Sequence, residues 1–311
     1  MDNKILGLHH ITAIARNAKR NYDFYTGVLG LRLVKKTVNF DDPGTYHFYF
    51  GNQTGTPGTI LTFFPWEGIG AGRTGTGMAT EIGYSVPAGS LEFWADRFKQ
   101  FKVKQDIAVE SFGEKSLSFT DPDGLKINFI EPKQVDERAP WETKEVTGKE
   151  AVKGFHSIVL TLKNIKPTAE LLVDVLGYRL LEQDGNRYRF ITGAIENAAV
   201  VDLVESPDEA PGINAAGTNH HVAFRVRNEE ILMAFREKIA SRGLGITAKI
   251  DREYFFSLYF REPGGVLFEL ATDNPGFATD EKVEELGSNL MLPKQYEPSR
   301  AKIETLLPNL N

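Results

Sequence analysis

The sequence predicts an α+β protein built from four βαβββ modules, and three observations carry that expectation. The first is an internal repeat. With a shift of 147 positions, GLHHITAIARNAKRNYDFYTGVLGLRLV (7–34) falls on GFHSIVLTLKNIKPTAELLVDVLGYRLL (154–181) without a gap, and ten of the 28 positions are identical. Chance would give about two. The second is a further pair of matches: SLSFTDPDG (116–124) lies on SLYFREPGG (257–265), and TEIGYSV (80–86) on HHVAFRV (220–226). The third is the pattern within each unit. An alternating strand comes first, an amphipathic helix follows, and short β runs separated by Gly, Pro and Asp turns complete it.

The units run over about 5–66, 79–132, 153–204 and 218–272. In the first, LHHITAIA alternates as a strand, and Tyr22, Tyr25 and Leu29 share one helix face. Gly30 stands where a helix-terminating glycine belongs. YHFYF and GTILTFF supply later strands of that unit, LKINFIE closes the second, and VLFELAT closes the fourth. The run Asp121-Pro122-Asp123-Gly124 is turn chemistry. GIGAGRTGTG (68–77) has the glycine content of a phosphate loop but lacks its Lys-Ser/Thr ending, and reads as a flexible connection. The expected organisation is an N-terminal domain over 1–135 (modules 1 and 2) and a polar linker over 136–152. A C-terminal domain over 153–275 (modules 3 and 4) and a proline-bearing tail over 276–311 follow.

At 311 residues and 41% hydrophobic, the chain has material for a large core, and its net charge of −6 with no basic cluster speaks against nucleic acid or an anionic membrane as partner. No apolar run reaches the roughly 18 residues of a membrane span, and the N-terminus has no signal-peptide core. The expected compartment is cytoplasmic, and a homo-oligomer is compatible with the sequence. There is no cysteine, so any metal must be held by His, Asp or Glu.

Four of the six histidines form two doublets, His9-His10 and His220-His221, each near the start of an apolar strand. Random placement gives about a tenth of one doublet. Strand alternation sends the members of each doublet to opposite faces. His47 and His156, by contrast, read as ordinary hydrogen-bonded histidines.

Four βαβββ modules with these motifs resemble the vicinal oxygen chelate superfamily, which holds glyoxalase I, extradiol ring-cleaving dioxygenases and bleomycin-resistance proteins. The resemblance covers about residues 5–272. It implies two open mixed-sheet barrels with a metal in the cup of a module pair. One first strand supplies a ligand, and the partner module supplies one from its first strand and one from its last. Pairing modules 1 and 4 collects His10, His221 and Glu269, a 2-His-1-carboxylate facial triad. The equivalent positions of modules 3 and 2 hold Ser157, Glu81 and Asn128, which cannot bind a divalent ion tightly. Pairing modules 3 and 4 would offer His156 or Ser157 instead.

The order HHIT, NHH, DREYFFSLYF, FEL resembles the subgroup that cleaves para-hydroquinones of the methylhydroquinone type, whose site is built from the first and last modules. The carry-over makes His10, His221 and Glu269 the metal ligands. His9, Thr12, His220, Arg252 and Tyr259 become the surrounding and substrate-contacting residues. It implies Fe(II), with Mn(II) as the other ion, and a small aromatic substrate together with O₂. A glyoxalase-type isomerase would need a fourth ligand near Thr62 and Phe63, where no carboxylate or histidine stands. A metal-dependent isomerase or lyase and a non-catalytic aromatic-binding protein are the other two readings.

Overall fold

The computed structural model describes residues 4–310. Module 1 consists of β1 (Leu8–Ala15), α1 (Ala18–Asp23), β2 (Arg32–Asn39), β3 (Asp42–Gly51) and β4 (Ile60–Pro65). Module 2 has β5 (Met78–Ser85), α2 (Leu91–Gln100), β6 (Val109–Ser111), β7 (Glu114–Thr120) and β8 (Lys126–Glu131). Module 3 has β9 (Gly154–Leu162), α3 (Lys166–Asp174), β10 (Arg179–Asp184), β11 (Arg187–Ile191) and β12 (Val200–Glu205). Module 4 has β13 (Thr218–Val226), α4 (Glu229–Ala240), β14 (Ile250–Asp251), β15 (Phe255–Arg261) and β16 (Leu267–Pro275). All four therefore repeat βαβββ. Among the described residues no helix is long and apolar enough to cross a membrane.

Within each module the first strand runs parallel to the last, so the module is a curled four-stranded sheet with its first strand at one edge. The free N–H and C=O groups of that edge need partners. They find them in the first strand of another module: β1 pairs antiparallel with β13, and β5 with β9. Two eight-stranded curled sheets result, in the orders β14-β15-β16-β13-β1-β4-β3-β2 and β10-β11-β12-β9-β5-β8-β7-β6.

This corrects the expected division of the chain. The sheets are not formed by 1–135 and 153–275; one joins modules 1 and 4 and the other modules 2 and 3. The domain division followed chain order, whereas the ligand comparison and the subgroup resemblance already pointed to modules 1 and 4 as partners, and the β1–β13 pairing agrees with that. The two intermodule connections are interlocked as well. Residues of 71–76 bridge to residues of 211–216, which ties the polar stretch 68–77 down as structure.

The helices cover the convex faces. Leu91, Trp94 and Phe98 of α2 are buried, the last two against Phe129. α4 starts at Asn228, whose side chain accepts from the Ile231 N–H, and buries Ile231, Leu232, Phe235 and Ile239. The tail lies along β2, with Lys36 bridged to Leu290. Lys35, fully buried, is held by Asp280 at 2.6 Å and Glu281 at 2.5 Å.

The Asp121 turn contains a buried acid. Its Oδ1 accepts the backbone N–H groups of Asp123 and Leu125 at 2.8 Å each, and Tyr25 donates to Oδ2 at 3.1 Å. Burial pushes its carboxyl up to about 6. The folded state therefore binds more protons than the unfolded chain between pH about 4 and 6, and stability falls as pH rises through that window, by about 2–3 kcal/mol. Asp121→Asn keeps the acceptor for the turn and is expected to flatten this fall. Urea midpoints measured across the window check it.

Candidate metal centre and its cavity

The doublets do not alternate across their strands. Leu8 and His10 stand opposite Phe224 and Ala223, so His9 is an extra residue, a β-bulge. Thr12 and Ala13 stand opposite His221 and Asn219, so His220 is another. The bulges bring both rings of each pair into contact: His9 Nδ1 is 2.9 Å from His10 Nδ1, and His220 Nδ1 is 2.8 Å from His221 Nδ1. The β5–β9 pairing shifts register at the equivalent places, Thr80 and His156. The bulges thus belong to the fold, and the histidines occupy them.

His10 on β1, His221 on β13 and Glu269 on β16 converge. Glu269 Oε2 lies 3.1 Å from His10 Nε2 and 2.9 Å from His221 Nε2, and the two nitrogens are 3.4 Å apart. Glu269 is fully buried; Ser257 donates to its Oε1, while Oε2 makes no hydrogen bond. Burial alone would raise this carboxyl, but the His10 and His221 imidazoles hold it well below the usual carboxylate range.

The hydrogen bonds behind His10 set its tautomer. The Thr272 carbonyl, 3.1 Å from His9 Nε2, can only accept, so His9 carries its proton there. Burial, and then His10, lower the His9 pKa well below its ordinary value, so this ring is neutral and its Nδ1 accepts. His10 must then donate from Nδ1, so Nε2, which faces Glu269, is the nitrogen it can offer to a metal. Three donors about 2.1 Å from one ion at right angles stand about 3.0 Å apart. The three observed separations, and the orphaned buried Oε2, fit one face of an octahedral cation site.

The triad lies beside a cavity of about 370 Å³. Thr12, His220, Arg252 and Tyr259 all line it. Arg252 Nε is 3.3 Å from Tyr259 Oη, and its guanidinium stacks over the rings of Tyr259 and Phe40. Burial, then Glu269, raises the Tyr259 pKa, so Tyr259 stays a phenol. Burial works against the Arg252 charge, but Tyr259 and Glu269 hold its pKa above the ordinary value. The His220 pKa is pushed down to about 3 by burial and by His221. Phe255 packs 4.9 Å from the His10 ring, and Phe64 5.7 Å from His220.

Of the two places expected for His9, around the ligands or against the substrate, the structure shows the first. The bulge turns it behind His10, it is 2% exposed, and it does not line the cavity. His47 is hydrogen-bonded and buried as expected, yet it lines the cavity with Tyr49. The missed signal is their i, i+2 spacing on one strand, which puts both on one face.

The second sheet shows what happens at the same positions without the triad. Asn128 donates to Glu81 at 2.9 Å, and Lys126 pairs with Glu81. Arg187 and Arg189 clamp the fully buried Asp202, while Glu114 joins Arg189 to His156. Ion pairs and hydrogen bonds engage the side chains at those positions.

Two half-barrels of paired βαβββ modules with a possible His/Glu cation site in one cup define a class of proteins. The chain belongs to the Glyoxalase/Bleomycin resistance protein/Dioxygenase superfamily, which matches it over residues 7–129 and 154–270. It is 47% identical over 310 residues to a Bacillus subtilis protein named "Putative ring-cleaving dioxygenase MhqO", with 99% of this chain and 98% of that one covered. It is 37% identical over 302 residues to the chlorohydroquinone/hydroquinone 1,2-dioxygenase of Sphingobium indicum, covering 94% and 93% of the two chains. Among solved structures, a Bacillus subtilis protein named "putative dioxygenase" superposes with a TM-score of 0.95 at 45% identity, over 99% of this chain and 98% of that one. Maize glyoxalase I shares the fold, with a TM-score of 0.63 at 15% identity over 86% of this chain and 92% of its own.

Proposed function

We propose that this protein is a metal-dependent dioxygenase that opens hydroquinone-type rings with O₂, holding Fe(II) on His10, His221 and Glu269. One observation carries the reading: three lone-pair donors face one another at the floor of a cavity walled by aromatic rings. The relative named as a chlorohydroquinone/hydroquinone 1,2-dioxygenase supports the substrate class. The three protein donors leave about three octahedral positions open, which suits an ion that must meet both substrate and O₂. Mn(II) is the other ion this donor set fits. Bound iron would supply Lewis acidity at one ring hydroxyl and an electron path between ring and oxygen.

The chain's own residues do the rest. Phe255 and Phe64 give the ring apolar walls that exclude water. His220 is neutral at pH 7; its Nδ1 accepts from His221, which leaves its Nε2–H as a hydrogen-bond donor in the cavity wall. Tyr259, kept protonated by burial, is a hydrogen donor near the triad, and Arg252 offers a fixed cation to the far hydroxyl or its anion. An isomerase of the glyoxalase kind is not favoured. Where the fourth ligand would stand, Thr62 is engaged by Thr12 and His47, each at 2.9 Å.

The test is oxygen uptake by anaerobically Fe(II)-loaded protein, with methylhydroquinone and catechol side by side. Uptake with the hydroquinone that His221→Ala abolishes is expected. Catechol-only uptake would keep ring cleavage but undo the hydroquinone assignment, and no uptake from iron-loaded protein would end the reading. In the same assay Tyr259→Phe is expected to lower kcat about 10–100-fold with little change in KM. Arg252→Met is expected to raise KM about tenfold. A Tyr259→Phe enzyme with wild-type kcat would remove that residue from the chemistry.

A further inference from the structure

Along the wall made by module 1 runs an uninterrupted hydrogen-bonded chain. Tyr49 Oη is 2.9 Å from His47 Nδ1, His47 Nε2 is 2.9 Å from Thr62 Oγ1, and Thr62 Oγ1 is 2.9 Å from Thr12 Oγ1. All four residues are buried, and Tyr49, His47 and Thr12 line the cavity. Thr12 stands opposite His221 in the β1–β13 pairing, at the triad end. The Tyr49 phenol has Tyr259 and Arg252 among its electrostatic neighbours.

We propose that Tyr49, His47, Thr62 and Thr12 are a proton relay joining the two ends of a para-diol substrate, with His47 as its reversible element. This rests on the reading given under Proposed function. Every member both donates and accepts, and a neutral imidazole can exchange its N–H from one nitrogen to the other. Burial holds His47 neutral.

The second sheet is the internal control. Tyr49 pairs with Thr62, and Thr62 with Thr12; at the same register Arg189 pairs with Asp202, and Asp202 with Val159. Arg187 takes the place of His47 one strand position-pair along. There a carboxylate held between two guanidinium groups fastens the strands, and Val159, which has no exchangeable hydrogen, stands in the place of Thr12. In the cup with the triad the same positions carry exchangeable neutral groups.

In one passage the distal ring hydroxyl gives its proton to Tyr49 Oη, and Tyr49 gives its own to His47 Nδ1. His47 releases the proton on Nε2 to Thr62, Thr62 passes its own to Thr12, and Thr12 delivers one to an oxygen of the reacting ring at the triad end. At each member one bond to hydrogen breaks and one forms. The chain stays neutral, and His47 ends as the Nδ1–H tautomer. A return passage restores it, fed by a water proton at Thr12 while product or water takes one from Tyr49.

Iron-loaded His47→Gln tests this, because an amide keeps one acceptor and one donor but cannot exchange its ends. The expected result is a kcat at least about tenfold lower on methylhydroquinone, with KM and iron affinity within about twofold. The solvent deuterium isotope effect on kcat should change with it, and Tyr49→Phe should reproduce the loss. Wild-type kcat and isotope effect in His47→Gln would overturn the relay and leave His47 as a positioning residue. Loss of iron affinity in both His47→Gln and His47→Phe would make the chain structural and overturn it too. An inactive wild-type protein would instead overturn the functional reading, and the relay with it.

Discussion

Glu269→Gln is expected to lose the metal and, with it, oxygen uptake. Residues that merely orient a ligand are worth about 10–100-fold in metal affinity. Removing one of three ligands should therefore weaken binding by more than about 100-fold. The variant separates metal loss from unfolding. Without metal, the buried Glu269 side chain is held by the His10 and His221 imidazoles and by Ser257, and the amide of Gln can hydrogen-bond the same partners, so the apoprotein variant is expected to remain folded. Added metal at about 100 times its Kd should stabilise the wild type by about 2.7 kcal/mol and leave the variant unmoved. Thermal unfolding with and without Fe(II) or Mn(II), under anaerobic conditions, reads this directly. Equal stabilisation of both proteins would remove Glu269 from the ligand set.

Lys35→Met is expected to be the most damaging single change to the fold away from the triad. The ammonium is wholly buried, within 2.6 Å of Asp280 and 2.5 Å of Glu281, and it lies over the Tyr254 ring. Tyr254 also donates to Asp280 at 2.9 Å, and Glu281 accepts the backbone N–H groups of Gly287 and Asn289. Asp280 is partly open to water, but removing the cation leaves the buried Glu281 carboxylate without its counter-charge, a loss of about 3–5 kcal/mol. The urea midpoint should fall accordingly, and adding Asp280→Asn with Glu281→Gln should recover much of it. A loss under about 1 kcal/mol would mean that the tail is held by its apolar contacts alone.

Much of this could be read from the residues. The repeat gave the modules, and comparing equivalent positions singled out His10, His221 and Glu269 against Ser157, Glu81 and Asn128, because two copies of one scaffold differ where chemistry differs. The fold followed, since βαβββ periodicity is local. The joining of modules 1 and 4 was legible too, through the ligand set it collects. Two things were not. Alternation predicts that His9 and His10 part company, and a bulge is a change of register between strands that neither strand shows alone. The Tyr49–His47–Thr62–Thr12 chain crosses three strands, and each member by itself is an unremarkable polar residue in an apolar run.

The interleaved pairing also orders events at the ribosome. Synthesis proceeds at about 5–20 residues per second, so on the order of tens of seconds separate the emergence of His10 from that of Glu269. Modules 2 and 3 are complete well before module 4 exists, and their sheet, fastened by the Asp202 ion pairs, can close first as a platform. The candidate cation site is assembled only when module 4 folds back against module 1. On the proposed ligand set, a chain terminated before module 4 has His10 but neither His221 nor Glu269, and could not hold the ion.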